Sequence, residues 1–135
     1  MAGDEKVIAQ TFTDYVQAFQ TLKPQAVFSY CDAPCVFISA QGVVVITNPT
    51  EIEALVGRMM AGLKARGYGS SELTGLQVSQ MSESIAFVSV SRIRYKTDKQ
   101  ELERLGETYT LRKNQGEWKI VVAASHDADS ILCKC

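Results

Sequence analysis

The sequence is poor in several residues that particular functions require. It has one histidine, one tryptophan and three prolines in 135 residues. No window approaches the run of about 18 apolar residues that a membrane-spanning helix needs. The first residues, MAGDEKVIAQ, carry acidic groups where a signal peptide would be basic. We therefore expect a cytoplasmic protein that does not bind a membrane.

The charge balance argues against a nucleic-acid partner. Fourteen basic and 15 acidic residues give a formal net charge of −1. No long run of one sign is present to neutralise phosphate backbones. Nucleic acid is therefore not expected as a partner.

The four cysteines form two close pairs, Cys31 with Cys35 and Cys133 with Cys135. Disulfides would need an oxidising compartment, so we predict free thiols. Cys31 and Cys35 would lie one helical turn apart if a helix continued there, as two small buried residues. The last pair together with His126 does not have the spacing of a zinc site. We predict neither a metal nor another cofactor.

Length and composition are those of one folded unit. A chain of 135 residues is long enough for one complete core and too short for two. A hydrophobic share of 46% with 21% charged residues is ordinary for a globular protein. No internal repeat or linker interrupts the chain, so we predict a single domain over residues 1–135.

Apolar residues at helical spacing predict three helices, over 7–22, 24–31 and 50–66. In the first, Phe12, Tyr15 and Phe19 share one face. Pro24 suits the first position of a short second helix. Thr50 followed by Glu53 fits a capping box at the start of the third helix.

Short runs rich in β-branched residues predict six strands, over 35–40, 43–47, 72–81, 85–97, 104–113 and 118–126. Gln41 and Gly42 predict a hairpin turn between the first two strands. The order is therefore ααββαββββ. Because helices and strands do not alternate, this order favours an α+β fold, in which a mostly antiparallel sheet has its helices on one side.

Three segments carry a family resemblance: DYVQAF in the first helix, CDAPCVFIS at the first strand and GEWKIVVAASHD at the last. With the element order, they make nearly the whole chain resemble ketosteroid isomerase and the SnoaL-like members of the nuclear transport factor 2-like superfamily. The resemblance implies a cone-shaped fold, in which a strongly curved sheet of about six strands wraps around three helices and encloses a pocket. It also implies a homodimer formed through the opposite face of the sheet.

Alternation of side chains along a strand separates pocket residues from exterior residues. By similarity to the family, Trp118, Ile120, Val122, Ala124 and His126 face the pocket. The same argument turns Phe87, Ser89 and Ser91 inward on the strand over 85–97, although a bulge would reverse such assignments. The expected dimer interface then comprises Val88, Val90, Arg92, Arg94, Val121 and Ala123.

The catalytic residues of ketosteroid isomerase are only partly present. That enzyme uses a carboxylate base with an oxyanion hole made of a tyrosine and a protonated aspartic acid. The resemblance places Tyr15 at the tyrosine and Tyr109 at the aspartic acid. The base position corresponds to Ser39 or Ile38, neither of which can take a proton from carbon at neutral pH. Steroid isomerisation is therefore not expected.

Related enzymes also need residues that the predicted pocket lacks. Limonene epoxide hydrolase needs an aspartate, arginine and aspartate set, whereas Arg92 and Arg94 are predicted to face outward. Scytalone dehydratase relies on two histidines, and this chain has one.

Three functional hypotheses remain open, and whether the chain is an enzyme stays undecided. The first is a homodimer that binds a small apolar or mixed-polarity molecule in the conical pocket. The second is an isomerase, lyase or cyclase in which His126 is the general base and Tyr15 and Tyr109 stabilise a developing oxyanion. The third is a protein-interaction module that uses the open sheet face. Besides these three residues, the predicted ligand contacts are Phe19, Phe37, Ser39, Met59, Leu63, Phe87, Ser89, Ser91, Leu111, Trp118, Val122 and Ala124.

Overall fold

Three α-helices precede or interrupt a six-stranded sheet in the computed structural model, which describes residues 3–130. Cys133 and Cys135 lie outside these residues. The helices are α1 (Glu5–Gln20), α2 (Pro24–Val27), which runs into a 3₁₀ turn (Phe28–Tyr30), and α3 (Pro49–Ala65). The strands are β1 (Cys31–Ser39), β2 (Gly42–Ile46), β3 (Tyr68–Gln80), β4 (Ile85–Lys96), β5 (Glu101–Asn114) and β6 (Glu117–His126). The predicted α+β class and the order ααββαββββ are confirmed.

The sheet runs in the order β2-β1-β6-β5-β4-β3, and all neighbours are antiparallel except β1 and β6. The first and last strands of the chain thus lie side by side and parallel in the middle of the sheet. Residue-pairing shifts within the β3/β4, β4/β5 and β5/β6 ladders help the sheet to bend around the helices. No helix among residues 3–130 is long and apolar enough to cross a membrane.

Helix α1 has the predicted buried face, which includes Phe12, Tyr15 and Phe19. It begins at Glu5, earlier than predicted. The reason is Asp4, whose carboxylate accepts hydrogen bonds from Lys113 Nζ at 2.9 Å and Trp118 Nε1 at 3.2 Å. These tertiary contacts fix the start of α1 against β5 and β6.

The second helix is shorter than predicted, because the backbone becomes extended at Cys31 (φ −114°, ψ 146°). Cys31 and Cys35 therefore lie on β1, not one helical turn apart. Both are buried free thiols. Burial raises the pKa of the Cys31 thiol to about 12, so this side chain stays protonated at neutral pH.

The cap of α3 lies two residues before the predicted one. Asn48 accepts a hydrogen bond from the Glu51 amide at 3.0 Å, and the Glu51 carboxylate accepts from the amide and hydroxyl of Thr47, each at 2.8 Å. Pro49 takes the first helical position, so Thr50 already lies inside the first turn.

The predicted orientation of β4 is wrong. Val88 and Val90 are fully buried and Arg92 is 2% exposed, and all three face the helices together with Arg94. Phe87, Ser89 and Ser91 alternate with them on the outer face. The prediction, made from alternation and similarity to the family, put Phe87, Ser89 and Ser91 inside and the arginines outside. The arginines can be buried because the neighbouring strand β5 supplies acidic partners for them.

A bulge in β6 reverses the predicted orientation over the second half of that strand. Leu111 pairs with Ile120 but Thr110 pairs with Val122, so Val121 is an extra residue in the ladder. Trp118 and Ile120 face inward as predicted. Beyond the bulge Ala123 and Ser125 face inward, and Val122, Ala124 and His126 face outward. Of the residues expected at the dimer interface, all except Val121 therefore face inward.

Candidate ligand pocket

A cavity of about 260 Å³ lies between α1, α3 and the inner faces of β1, β2, β5 and β6. Phe37, Val44, Leu55, Met59 and Ala123 give it apolar walls. The polar groups in its lining are Tyr15, Ser39, Glu107, Tyr109 and Ser125. A cavity with mostly apolar walls and a few polar groups that point into it is typical of a site for a small molecule.

The polar side of the pocket depends on a buried ion pair. Arg92 Nη2 lies 2.5 Å from Glu107 Oε1 and donates a hydrogen bond to the Tyr109 hydroxyl at 3.0 Å. The side chains of Arg92 and Glu107 are only 2% and 11% exposed. The ion pair is close but poorly aligned for a hydrogen bond, so Glu107 Oε1 lacks a hydrogen-bond partner. Arg92 Nε, which is not part of this pair, also lacks one.

Electrostatics keep Arg92 positively charged in this setting. Burial alone would lower the pKa of the guanidinium, but the Glu107 carboxylate together with Tyr109, Tyr15 and Tyr68 outweighs that effect, and the net shift of the pKa is upward. Arg92 is therefore always positively charged, and this charge holds the Glu107 carboxylate in place.

The two tyrosines of the pocket are hydrogen-bond donors at neutral pH. Burial, followed by the charge of Glu107, raises the pKa of Tyr109 well above its usual value. Burial also raises the pKa of Tyr15, with smaller contributions from Cys31 and Glu107. Within residues 3–130 the Tyr15 hydroxyl has no hydrogen-bond partner. This hydroxyl is available to a ligand.

The structure brings together some of the predicted site residues and separates the rest. Tyr15, Phe37, Ser39, Met59 and Tyr109 line the pocket. Four others are buried or partly buried elsewhere and do not line it, namely Phe19, Leu63, Leu111 and Trp118. Five lie on the outer face of the sheet, namely Phe87, Ser89, Ser91, Val122 and Ala124.

His126 also lies on the outer face, so its predicted position in the pocket is wrong. Its Nε2 hydrogen-bonds to Thr108 Oγ1 at 2.7 Å, and its Nδ1 to the backbone oxygen of Asp127 at 3.0 Å. A Cβ on Gly106 would stand 2.8 Å from the imidazole ring, so the glycine gives the ring the space to lie across β5. A general base in the pocket would have to be another residue.

Glu107 and Arg92 are the important residues that the sequence-based prediction missed. A signal for them does exist. Arg92 and Arg94 are two positions apart, so they share one face of their strand. Glu103, Glu107 and Tyr109 are separated by even numbers of positions, so they share one face of the next strand. Opposite charges at matching parity on consecutive strands indicate pairing across the sheet. Among residues 3–130, no group of histidine, cysteine or acidic residues could hold a metal ion.

A family model described as NTF2-like protein (DUF6841) matches residues 4–128. The chain belongs to this NTF2-like family. The superfamily resemblance seen in the sequence is thereby confirmed. No curated protein matches this NTF2-like protein.

Solved structures share the fold of this NTF2-like protein at low sequence identity. An NTF2-like protein of unknown function from Shewanella oneidensis has a TM-score of 0.71 and 17% identity, over 93% of this chain and 100% of the other. An NTF2-like protein with a cystatin-like fold from Novosphingobium aromaticivorans has a TM-score of 0.74 and 15% identity, over 94% and 83%. A ketosteroid isomerase-like protein from Erwinia carotovora atroseptica has a TM-score of 0.67 and 17% identity, over 93% and 96%. These similarities concern the fold alone.

Proposed function

We propose that this NTF2-like protein binds a small, largely apolar molecule with one polar group in the pocket between α1, α3 and the sheet. The observation that carries the proposal is the unpartnered Tyr15 hydroxyl in the same cavity as the fixed carboxylate of Glu107. Because this hydroxyl opens onto the cavity and makes no bond inside the protein, it can donate to an acceptor on a bound ligand.

The pocket chemistry favours an alcohol or a phenol. A ligand hydroxyl can accept a hydrogen bond from Tyr15 and donate one to Glu107, which a hydrocarbon cannot do. The carbon skeleton would contact Phe37, Leu55 and Met59. The volume of about 260 Å³ lies just below the roughly 300 Å³ at which ligand pockets usually begin, so the ligand is smaller than a typical drug.

Filling the pocket should abolish binding of such compounds. We expect ligand-observed NMR with a set of small phenols, cyclic alcohols and matched hydrocarbons to find alcohols that bind and compete with one another. Ala123 faces the pocket, so Ala123→Trp should weaken their binding by more than about tenfold. Tyr15→Phe should weaken the binding of alcohols by about five- to tenfold but leave the binding of the hydrocarbons unchanged.

The matched control is Gln10→Trp, which adds the same indole on the exposed side of α1 and should leave binding unaltered. Equal binding to Ala123→Trp and the unaltered protein would overturn the proposal. So would the absence of any bound alcohol.

A second candidate function uses the same pocket for acid–base chemistry, with Glu107 in place of His126 as the proton acceptor. The observation that favours it is the pair of protonated tyrosine hydroxyls beside a buried carboxylate. Such donors can stabilise an oxyanion that forms when a proton is removed. If a bound compound is converted, Glu107→Gln should abolish turnover while binding persists. Unchanged turnover in that variant would exclude the role.

The outer face of the sheet supports a homodimer, with residues other than those first predicted. Two rows of paired side chains cross all six strands, and none of them is charged. Val43 and Val45 in these rows are 63% and 60% exposed. The rows are Val45, Val36, Val122, Thr110, Phe87 and Ser79, and Val43, Ile38, Ala124, Thr108, Ser89 and Gln77.

A second copy of the chain fits this face because an uncharged surface can meet itself across a two-fold axis without repulsion. We expect sedimentation velocity to give the mass of a dimer. Ala124→Arg should give a monomer, since it places two like charges across the axis, whereas Gln10→Arg on α1 should stay dimeric. A monomeric unaltered protein would overturn the homodimer, and a complex with a different protein would favour the interaction-module hypothesis.

A further inference from the structure

We propose that Arg58, Arg66 and Arg94 form a binding site for a phosphate group in a cleft between α3 and β4. The cleft has a volume of about 250 Å³ and is lined by these arginines together with Met59, Gly62 and Leu63. It is separate from the ligand pocket, although Met59 lies in the wall of both. The proposal does not depend on the function proposed for that pocket.

Positive charge is in excess around the cleft. Glu103 accepts from Arg66 Nη2 at 3.0 Å and from Arg94 Nη1 at 2.7 Å, so one carboxylate is shared by two guanidinium groups. Burial would raise the pKa of Glu103, but the two arginines lower it, so this residue is ionised at neutral pH. Within residues 3–130, Arg58 has no ionic or hydrogen-bond partner. Three cations therefore face one anion.

Arg94 also leaves a buried donor unused. Its side chain is 10% exposed, and its Nε has no hydrogen-bond partner in the part of the chain that the structure describes. Buried polar groups in folded proteins are normally satisfied. An anion in the cleft would supply an acceptor near this guanidinium.

Gly62 has no packing reason to be a glycine. Helix α3 also contains Gly57, where an added Cβ would lie 3.8 Å from Pro24 Cγ, at ordinary contact distance from α2. A Cβ on Gly62 would meet no atom within 4 Å. Glycine destabilises a helix interior relative to alanine, so its presence at an open position indicates that space is kept free.

The space above Gly62 lies between two of the arginines. Arg58, Gly62 and Arg66 follow one another at intervals of four residues, so Arg58 and Gly62 share one face of α3 and Arg66 directly follows its last residue on that side. A side chain at position 62 would stand between the two guanidinium groups. The glycine therefore keeps the floor of the cleft open.

Phosphate suits this arrangement better than a second carboxylate. Guanidinium groups bind phosphate oxygens through paired N–H donors, and a tetrahedral phosphate can meet donors that approach from three directions. Arg66 and Arg94 each already bind one carboxylate oxygen of Glu103. The phosphate comes either free from solution or as the head group of an organic molecule that contacts Met59 and Leu63.

The test is isothermal titration calorimetry, in which the full chain is titrated with inorganic phosphate and with hexyl phosphate at fixed ionic strength. We expect saturable binding of at least one of them to the unaltered protein. The double variant Arg58→Ala with Arg66→Ala should weaken it by more than about tenfold. Gly62→Leu should weaken it to a similar degree, although it changes no charge and favours the helix. Glu103→Gln should strengthen binding, because it removes the competing carboxylate.

Arg112→Ala is the matched charge control. Arg112 is exposed and pairs with Ile85, at the opposite end of β4 and β5 from Arg94, so its removal should leave binding within about twofold. Tighter binding of hexyl phosphate would identify an organic phosphate as the ligand, and equal binding a free phosphate. The proposal is overturned if neither compound saturates, if Gly62→Leu binds as the unaltered protein does, or if Arg112→Ala weakens binding as much as the double variant. The Ala123→Trp variant reports on the other pocket, so the two proposals can fail independently.

Discussion

Arg92→Met should lower the free energy of unfolding by about 3–5 kcal/mol, because it leaves the Glu107 carboxylate buried without its cation. Arg92 is 2% exposed and contacts both Glu107 and the Tyr109 hydroxyl. The loss therefore removes an ion pair and a hydrogen bond together. Urea denaturation monitored by circular dichroism measures the change.

A double-mutant cycle separates the ion pair from simple packing. Arg92→Met combined with Glu107→Leu should recover much of the lost stability, because an apolar pair leaves no buried charge. Arg104→Met is the control, since the side chains of Arg104 and its partner Glu101 are 60% and 43% exposed. The control should cost less than about 1 kcal/mol. If Arg92→Met and Arg104→Met lowered the free energy of unfolding equally, burial would not determine how much the Arg92–Glu107 ion pair contributes to stability.

Phe12→Ala should also cost about 3–5 kcal/mol in unfolding free energy, because it opens a cavity beneath the polar side of the pocket. Phe12 is 1% exposed, and its ring meets Tyr109 edge-on with centroids 4.6 Å apart. Its centroid lies 5.5 Å from that of Tyr15. The substitution should therefore also reduce the binding of alcohols that depend on the Tyr15 hydroxyl. Urea denaturation and ligand-observed NMR measure the two effects.

Two further substitutions calibrate this result. Phe12→Leu keeps most of the volume and should cost about 1 kcal/mol. Val7→Ala lies on the same helix but at a residue that is 56% exposed, and it should change stability by less than about 0.5 kcal/mol. If Phe12→Ala cost no more than Val7→Ala, Phe12 would not support the pocket.

The candidate site departs from the catalytic set of ketosteroid isomerase in a specific way. The position implied for the base holds Ser39 or Ile38, which both line the pocket but cannot act as a base. The carboxylate of this pocket is Glu107, on β5, where Arg92 of the neighbouring strand holds it. The same fold thus presents a differently placed polar group, as expected when function depends on the site and not on the fold.

Local patterns in the sequence determined the element order. Helical spacing placed Phe12, Tyr15 and Phe19 on one face of α1, and the structure buries that face. The strands were predicted close to their observed positions because turns and runs of β-branched residues are local signals. The resemblance then placed Tyr15 and Tyr109 in the pocket, and both line it.

Only the tertiary structure decided which side of β4 and β6 is inside. Alternation shows that Ser91 and Arg92 point in opposite directions, but it does not show which of them is buried. Arg92 can be buried because Glu107, on another strand, offers a carboxylate at ion-pair distance. The extra residue at Val121 exists only in relation to the register with β5, and it moves His126 from the pocket to the outer face. These features arise from pairing between distant segments of the chain. The sequence therefore predicted the fold and the pocket positions of Tyr15 and Tyr109, but it did not predict that Arg92 and Glu107 belong to the site.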